Sequence, residues 1–137
     1  MANPHRLLIV EDTLTLMMEL EELLLSAGYR LELAMSVPQA TEALRKSTEE
    51  NQLFAAIISD FNLGGLRPES MKTGINVFQY AYRILGKNMP PFIGSSTEMH
   101  YWEPFKNTKG IYLIPKKNFH WNEQAVLTQL KDLGLAA

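Results

Sequence analysis

Apolar positions fall into five short runs separated by segments of helical period. The first run, Leu7 to Val10, is continuous, as in a strand buried on both faces. Thr13 then suits a helix N-cap, and Leu14, Met17, Leu24 and Leu25 recur at helical spacing as far as Ala27, with Gly28 as the stop. "YRLELA", Tyr29 to Ala34, alternates and predicts a strand of lesser burial. Ser36 and Gln39 stand at capping-box spacing with Pro38 in the first turn, so a helix runs to about Lys46. "STEENQ" is a polar loop, and Leu53 to Ser59 is the third strand.

Phe61 to Thr73 carries glycines, a proline and no period, a long loop by ordinary connection lengths. Gly74 to Leu85 places Ile75, Phe78, Ile84 and Leu85 at helical spacing before Gly86. "PPFIG" predicts a fourth strand, and "GIYLIP" a fifth. Between them, "TEMHYWEPFKN" is at best a weak helix, because Pro104 breaks its interior. "WNEQAVLTQLKDL" is a closing amphipathic helix. Strand then helix, repeated, implies a parallel sheet with helices on both faces. Ligands in such sheets bind beyond the carboxyl ends of the strands.

Composition narrows the chemistry. The 137 residues fit one domain, 1–137, with a real core. A net charge of -2 offers no basic field for nucleic acid or an anionic membrane. Cysteine is absent, which excludes disulfides, thiolate catalysis and cysteine-based zinc sites. His5, His100 and His120 lack metal-ligand spacing. No apolar run reaches membrane-spanning length, and "MANPHR" has no signal-peptide core, so the expected location is the cytoplasm.

What remains distinctive stands at the predicted strand ends. Strand one ends at Glu11 and Asp12, strand three at Asp60, strand four at Ser95 and Ser96, and strand five at Lys116 and Lys117. Singly, these residues read as caps, helix-end charges or solvated lysines. Together, in this order, they converge on one rim. Carboxylates about 5 Å apart repel by roughly 3 kcal/mol per pair at an effective dielectric near 20. A hard divalent cation makes such a cluster tolerable.

With "LLIVED", "IISDFN", "FIGSS" and "YLIPK" in these places, the chain resembles the receiver domain of two-component response regulators over nearly its whole length. No G-x-G-x-x-G or G-x-x-x-x-G-K-[ST] motif sends the pattern elsewhere. The resemblance implies a doubly wound, five-stranded flavodoxin-like sheet of order 2-1-3-4-5 in three layers. It implies a stand-alone, chemotaxis-regulator-like receiver, not a turnover enzyme. Asp60 would accept a phosphoryl group from a sensor histidine kinase or phosphotransfer protein. Magnesium would be held by Glu11, Asp12, Asp60 and the Asn62 backbone carbonyl, with a serine hydroxyl and a lysine on the phosphoryl oxygens. The signal would pass to a downstream protein target, from a monomer or weak homodimer, without nucleic acid or membrane.

Two registers have alternatives. Ser95 is preferred over Ser96, because Ser96 then supplies the small following residue. Lys116 is preferred over Lys117, because Ile114 then fills the apolar position two before it. The chain also departs from the family pattern. Leu113 stands where receivers carry an aromatic switch residue, and Lys117 where a proline usually follows the lysine. Trp102 and Pro104 occupy a segment that often forms the partner-binding face. These departures keep a pseudo-receiver, a phosphorylation-independent interaction module, as the alternative. A hydrolytic phosphatase is disfavoured, because Asn62 stands where it would need a second acid.

Overall fold

The computed structural model describes residues 4–63 and 73–137. Most of the predicted 61–73 loop lies outside them. β1 (Arg6–Val10), β2 (Arg30–Ala34), β3 (Ala56–Asp60), β4 (Phe92–Ser95) and β5 (Ile111–Leu113) form one parallel sheet in the order β2-β1-β3-β4-β5. The described α-helices are α1 (Leu14–Ser26), α2 (Val37–Glu49), α3 (Gly74–Leu85) and α4 (Glu123–Asp132). This is the expected flavodoxin-like arrangement.

The period of two along each strand divides the core. Leu8, Val10, Ile57 and Phe92 face α2 and α3, among Ala40, Leu44, Val77 and Ala81. Leu7, Ile9, Ile58 and Ile93 face α1 and α4, among Met17, Leu20, Leu24, Val126 and Leu130. Burying each large aliphatic side chain contributes about 1.5–3 kcal/mol. All five residues of β3 are buried, including its terminal acid, so the site is mounted on a fully enclosed strand.

The fourth crossover, expected to be at best a weak helix, is a 3₁₀ segment, Met99–Phe105, with Pro104 inside it. Other elements depart from expectation. Trp102 does not face a partner surface. It is fully buried and packs on Phe92, with ring centroids 5.9 Å apart. Gly94 makes room for it, since a Cβ there would lie 2.8 Å from the indole ring. On α1, Leu14 and Leu25 are exposed, and Leu20 joins Met17 and Leu24 in the core. α2 runs past Lys46 to Glu49. Its start is as expected: Ser36 accepts from the Gln39 N–H, and the Gln39 side chain accepts from the Met35 N–H. Among the described residues, no helix is long and apolar enough to cross a membrane.

Candidate functional site

β1 and β3 deliver their acids to the same rim because they are adjacent and in register, Val10 beside Ser59. The Glu11 N–H donates to the Ala34 carbonyl at 3.0 Å, extending the strand ladder by one residue and fixing the Glu11 backbone. Its side chain has no exposure. One oxygen, Oε1, accepts from Lys116 Nζ at 2.8 Å and from the Trp121 indole N–H at 2.9 Å. The other, Oε2, accepts from the Thr13 backbone N–H at 3.2 Å. A buried carboxylate is tolerable only with such partners.

Asp60 closes β3. Its Oδ1 lies 3.3 Å from Lys116 Nζ. Glu11, half-buried Asp12 and Asp60 each offer one oxygen, and these oxygens all lie within 4.8 Å of one another. Burial, and after it the charge of Glu11, push the Asp60 carboxyl up to about 7 against the opposing pull of Lys116. Ile114, two residues before Lys116, is buried and anchors the chain just past the end of β5. The Lys116 side chain is almost wholly enclosed, and its ammonium stands 5.1 Å from the Trp121 ring centroid. Lys117 is exposed and apart from the acids. Of the two lysines, Lys116 is the one that stands beside the acids.

The serines separate differently. Ser95 lies beside Asp60 in the β3–β4 register, but its hydroxyl donates to the Ile114 carbonyl of the neighbouring strand end. Ser96, one residue beyond the strand, is buried and accepts from the Glu98 N–H at 3.2 Å. Asn62 forms an isolated antiparallel bridge with Thr73, and the Gly74 N–H donates to the Phe61 carbonyl at 2.7 Å. A Cβ on Gly74 would sit 2.5 Å from the Asp60 carbonyl oxygen, so α3 begins against the backbone of Asp60 itself.

Trp121 carries a role that sequence reasoning missed. It returns to the site through a tight turn in which Lys117 and His120 exchange backbone hydrogen bonds of 2.7 and 3.0 Å. Asn118 and Phe119 both adopt left-handed conformations, with φ of 52° and 66°. That is the pattern of a two-residue hairpin turn. His120 then meets Glu19 on α1 at 2.9 Å. Asn118, an amino acid that tolerates this conformation, is the one local signal of the turn.

The donor set fits magnesium. Carboxylate oxygens suit a hard cation that keeps several of its waters. Three carboxylates and one ammonium leave a formal charge that a divalent ion balances.

No protein-family model matches the sequence, and no curated protein matches it. Solved structures do match. The receiver domain of PhyR from Erythrobacter litoralis is 23% identical, with a TM-score of 0.73 over 96% of this chain and 90% of that one. The chemotaxis response regulator CheY4 of Vibrio cholerae is 21% identical, with a TM-score of 0.71 over 95% and 98%. The response regulator TrrA from Thermotoga maritima, in complex with magnesium and beryllium fluoride, is 20% identical, with a TM-score of 0.67 over 94% and 98%. The chain has the fold of response-regulator receiver domains.

Proposed function

We propose that this chain is a phosphoacceptor receiver in which Asp60 takes a phosphoryl group from a phosphohistidine. The observation that carries the reading is the meeting of Glu11, Asp12 and Asp60 within 4.8 Å, with Lys116 bridging two of them. A structural ion pair needs one acid for one lysine. Three acids on one buried rim make sense around a cation and a transferable anion.

Glu11, Asp12, Asp60 and the Asn62 carbonyl would hold magnesium. When bound, the ion supplies positive charge against the Asp60 carboxylate and the phosphoryl oxygens. An ionised Asp60 oxygen attacks phosphorus in line. A P–O bond forms, the P–N bond to the donor imidazole breaks, and the imidazole nitrogen keeps the electron pair. Lys116 turns from Glu11 toward a phosphoryl oxygen. A strand-four serine donates to another. The sequence favoured Ser95, but its hydrogen is committed to Ile114, which favours Ser96.

The donor is a sensor histidine kinase or a phosphotransfer protein, and the phosphorylated surface is read by a downstream protein. The chain is not a turnover enzyme. It acts in the cytoplasm, as a monomer or weak homodimer, on neither nucleic acid nor membrane. Intact mass after incubation with acetyl phosphate tests the reading. One phosphoryl group should be gained with magnesium, little without it, and none by Asp60→Asn. A wild-type protein unmodified under all conditions would instead support the pseudo-receiver.

A further inference from the structure

The phosphoacceptor reading requires something of Glu11 that the acids alone do not provide. In the present arrangement Glu11 Oε1 is shared by two donors, Lys116 Nζ at 2.8 Å and the Trp121 indole N–H at 2.9 Å. Lys116 is the one shared with a second acid. It also lies 3.3 Å from Asp60, and on the phosphoacceptor reading it leaves Glu11 to reach a phosphoryl group. Glu11 cannot follow, because its backbone is pinned in the ladder to Ala34 and Oε2 is occupied by Thr13. Nor does bulk water reach it, since its side chain has no exposure. Magnesium would offset part of the Glu11 charge, but the departure of the lysine still takes away one of the two hydrogen-bond donors on Oε1, and an unmet acceptor in a buried carboxylate is costly.

Resting on the phosphoacceptor reading, we propose that Trp121 is a positioning residue that holds Glu11 while Lys116 is handed from Glu11 to the phosphoryl group. Three features suit it to this task. The indole N–H can donate but not accept, so it competes for neither the cation nor the phosphoryl oxygens. The ring is buried and stands beside the lysine ammonium, 5.1 Å from its centroid, so it flanks the path along which the ammonium moves. The tight turn at Asn118 and Phe119, closed by two backbone hydrogen bonds, fixes where the chain re-enters the core at Trp121. A residue that merely filled space could be any large apolar side chain. This one aims its only polar atom at the one acid that loses its lysine.

The test is a double-mutant cycle read by the rate of magnesium-dependent phosphorylation from acetyl phosphate. Trp121→Phe keeps an aromatic ring and removes the donor. It should slow phosphorylation by about tenfold, the lower end of what a hydrogen bond to a charged group is worth. In a Glu11→Gln background, which lacks the charge to be held and is assayed at saturating magnesium because Glu11 is itself a ligand, the same substitution should change the rate by less than about twofold. Loss of packing alone would slow both backgrounds equally and would overturn the proposal. An unchanged rate in Trp121→Phe would also overturn it, while leaving the phosphoacceptor reading intact. Failure of the wild type to be phosphorylated would remove both. If Trp121→Phe proves too unstable to assay, the indole N–H resonance of the wild type serves. Adding magnesium and beryllium fluoride should leave it protected from solvent exchange, and fast exchange in that state would contradict the handover.

Discussion

Phe61, the residue after Asp60, lies flat against Tyr101 of the 3₁₀ segment, with ring centroids 5.0 Å apart and planes 8° from parallel. It also stands edge-on to Trp102 at 5.1 Å. The neighbour of Asp60 is thus keyed into the fourth crossover. Leu113, at the position where receivers carry a switch aromatic, has no ring to turn.

A conformational response should follow those contacts. Two charge-assisted contacts to a phosphoryl group, at about 1.5–3 kcal/mol each, supply much of the roughly 5.5 kcal/mol that inverts a two-state population. Hydrogen exchange with magnesium and beryllium fluoride should change mainly at 61–63 and 95–102. A dominant change at Leu113 and α4 would place the switch at strand five instead.

Trp102 should be sensitive to the space left for it. In Gly94→Ala the new methyl would meet the indole at 2.8 Å, and the indole is enclosed on all sides. Such overpacking typically costs about 1–3 kcal/mol. Urea unfolding should show a loss of that size. A variant as stable as the wild type would mean that the 3₁₀ segment shifts freely.

The strand frame and the acids were legible because they are local. A continuous apolar run marks each buried strand, and Glu11, Asp12 and Asp60 stand at its end. Lys116 was preferred because Ile114 fills the apolar position two before it. What escaped was non-local or ambiguous. Trp121 meets Glu11 across 110 residues, and no spacing rule reaches that far. Trp102 is buried only because Gly94 and Gly74 both leave it room. The apolar residues of α1 extend beyond one face, with exposed Leu14, Met18 and Leu25 alongside buried Met17, Leu20 and Leu24, so the period alone could not choose the buried side.

The serines should behave as two different residues. Ser96→Ala should slow phosphorylation by about tenfold with little loss of stability, since it removes a contact to developing charge. Ser95→Ala should do the reverse, costing about 1 kcal/mol of stability through the lost bond to Ile114 while phosphorylation proceeds. Kinetics and thermal melts on both variants decide this. Slow phosphorylation in Ser95→Ala alone would restore the register first read from the sequence.

Magnesium and protons should compete at Asp60. Its carboxyl titrates at about 7 in the fold, above its ordinary 3.8. Between those values the folded chain keeps a proton that the unfolded chain has released. The stability of the metal-free protein therefore falls as pH rises through this window and reaches its floor above about 7. A cation binds the ionised form and relieves the repulsion. Added magnesium should raise the melting temperature clearly at about pH 8 and little at about pH 5, because a proton then occupies Asp60. Equal shifts at both would mean that magnesium binds elsewhere.

Whether Asp60 itself carries the phosphoryl group is decided by borohydride reduction of the phosphorylated protein, followed by peptide sequencing in the mass spectrometer. An acyl phosphate on Asp60 is reduced to homoserine, so homoserine is expected at position 60 and nowhere else. Phosphate found on Ser95 or Ser96, or an unaltered aspartate at position 60 in a phosphorylated chain, would contradict it.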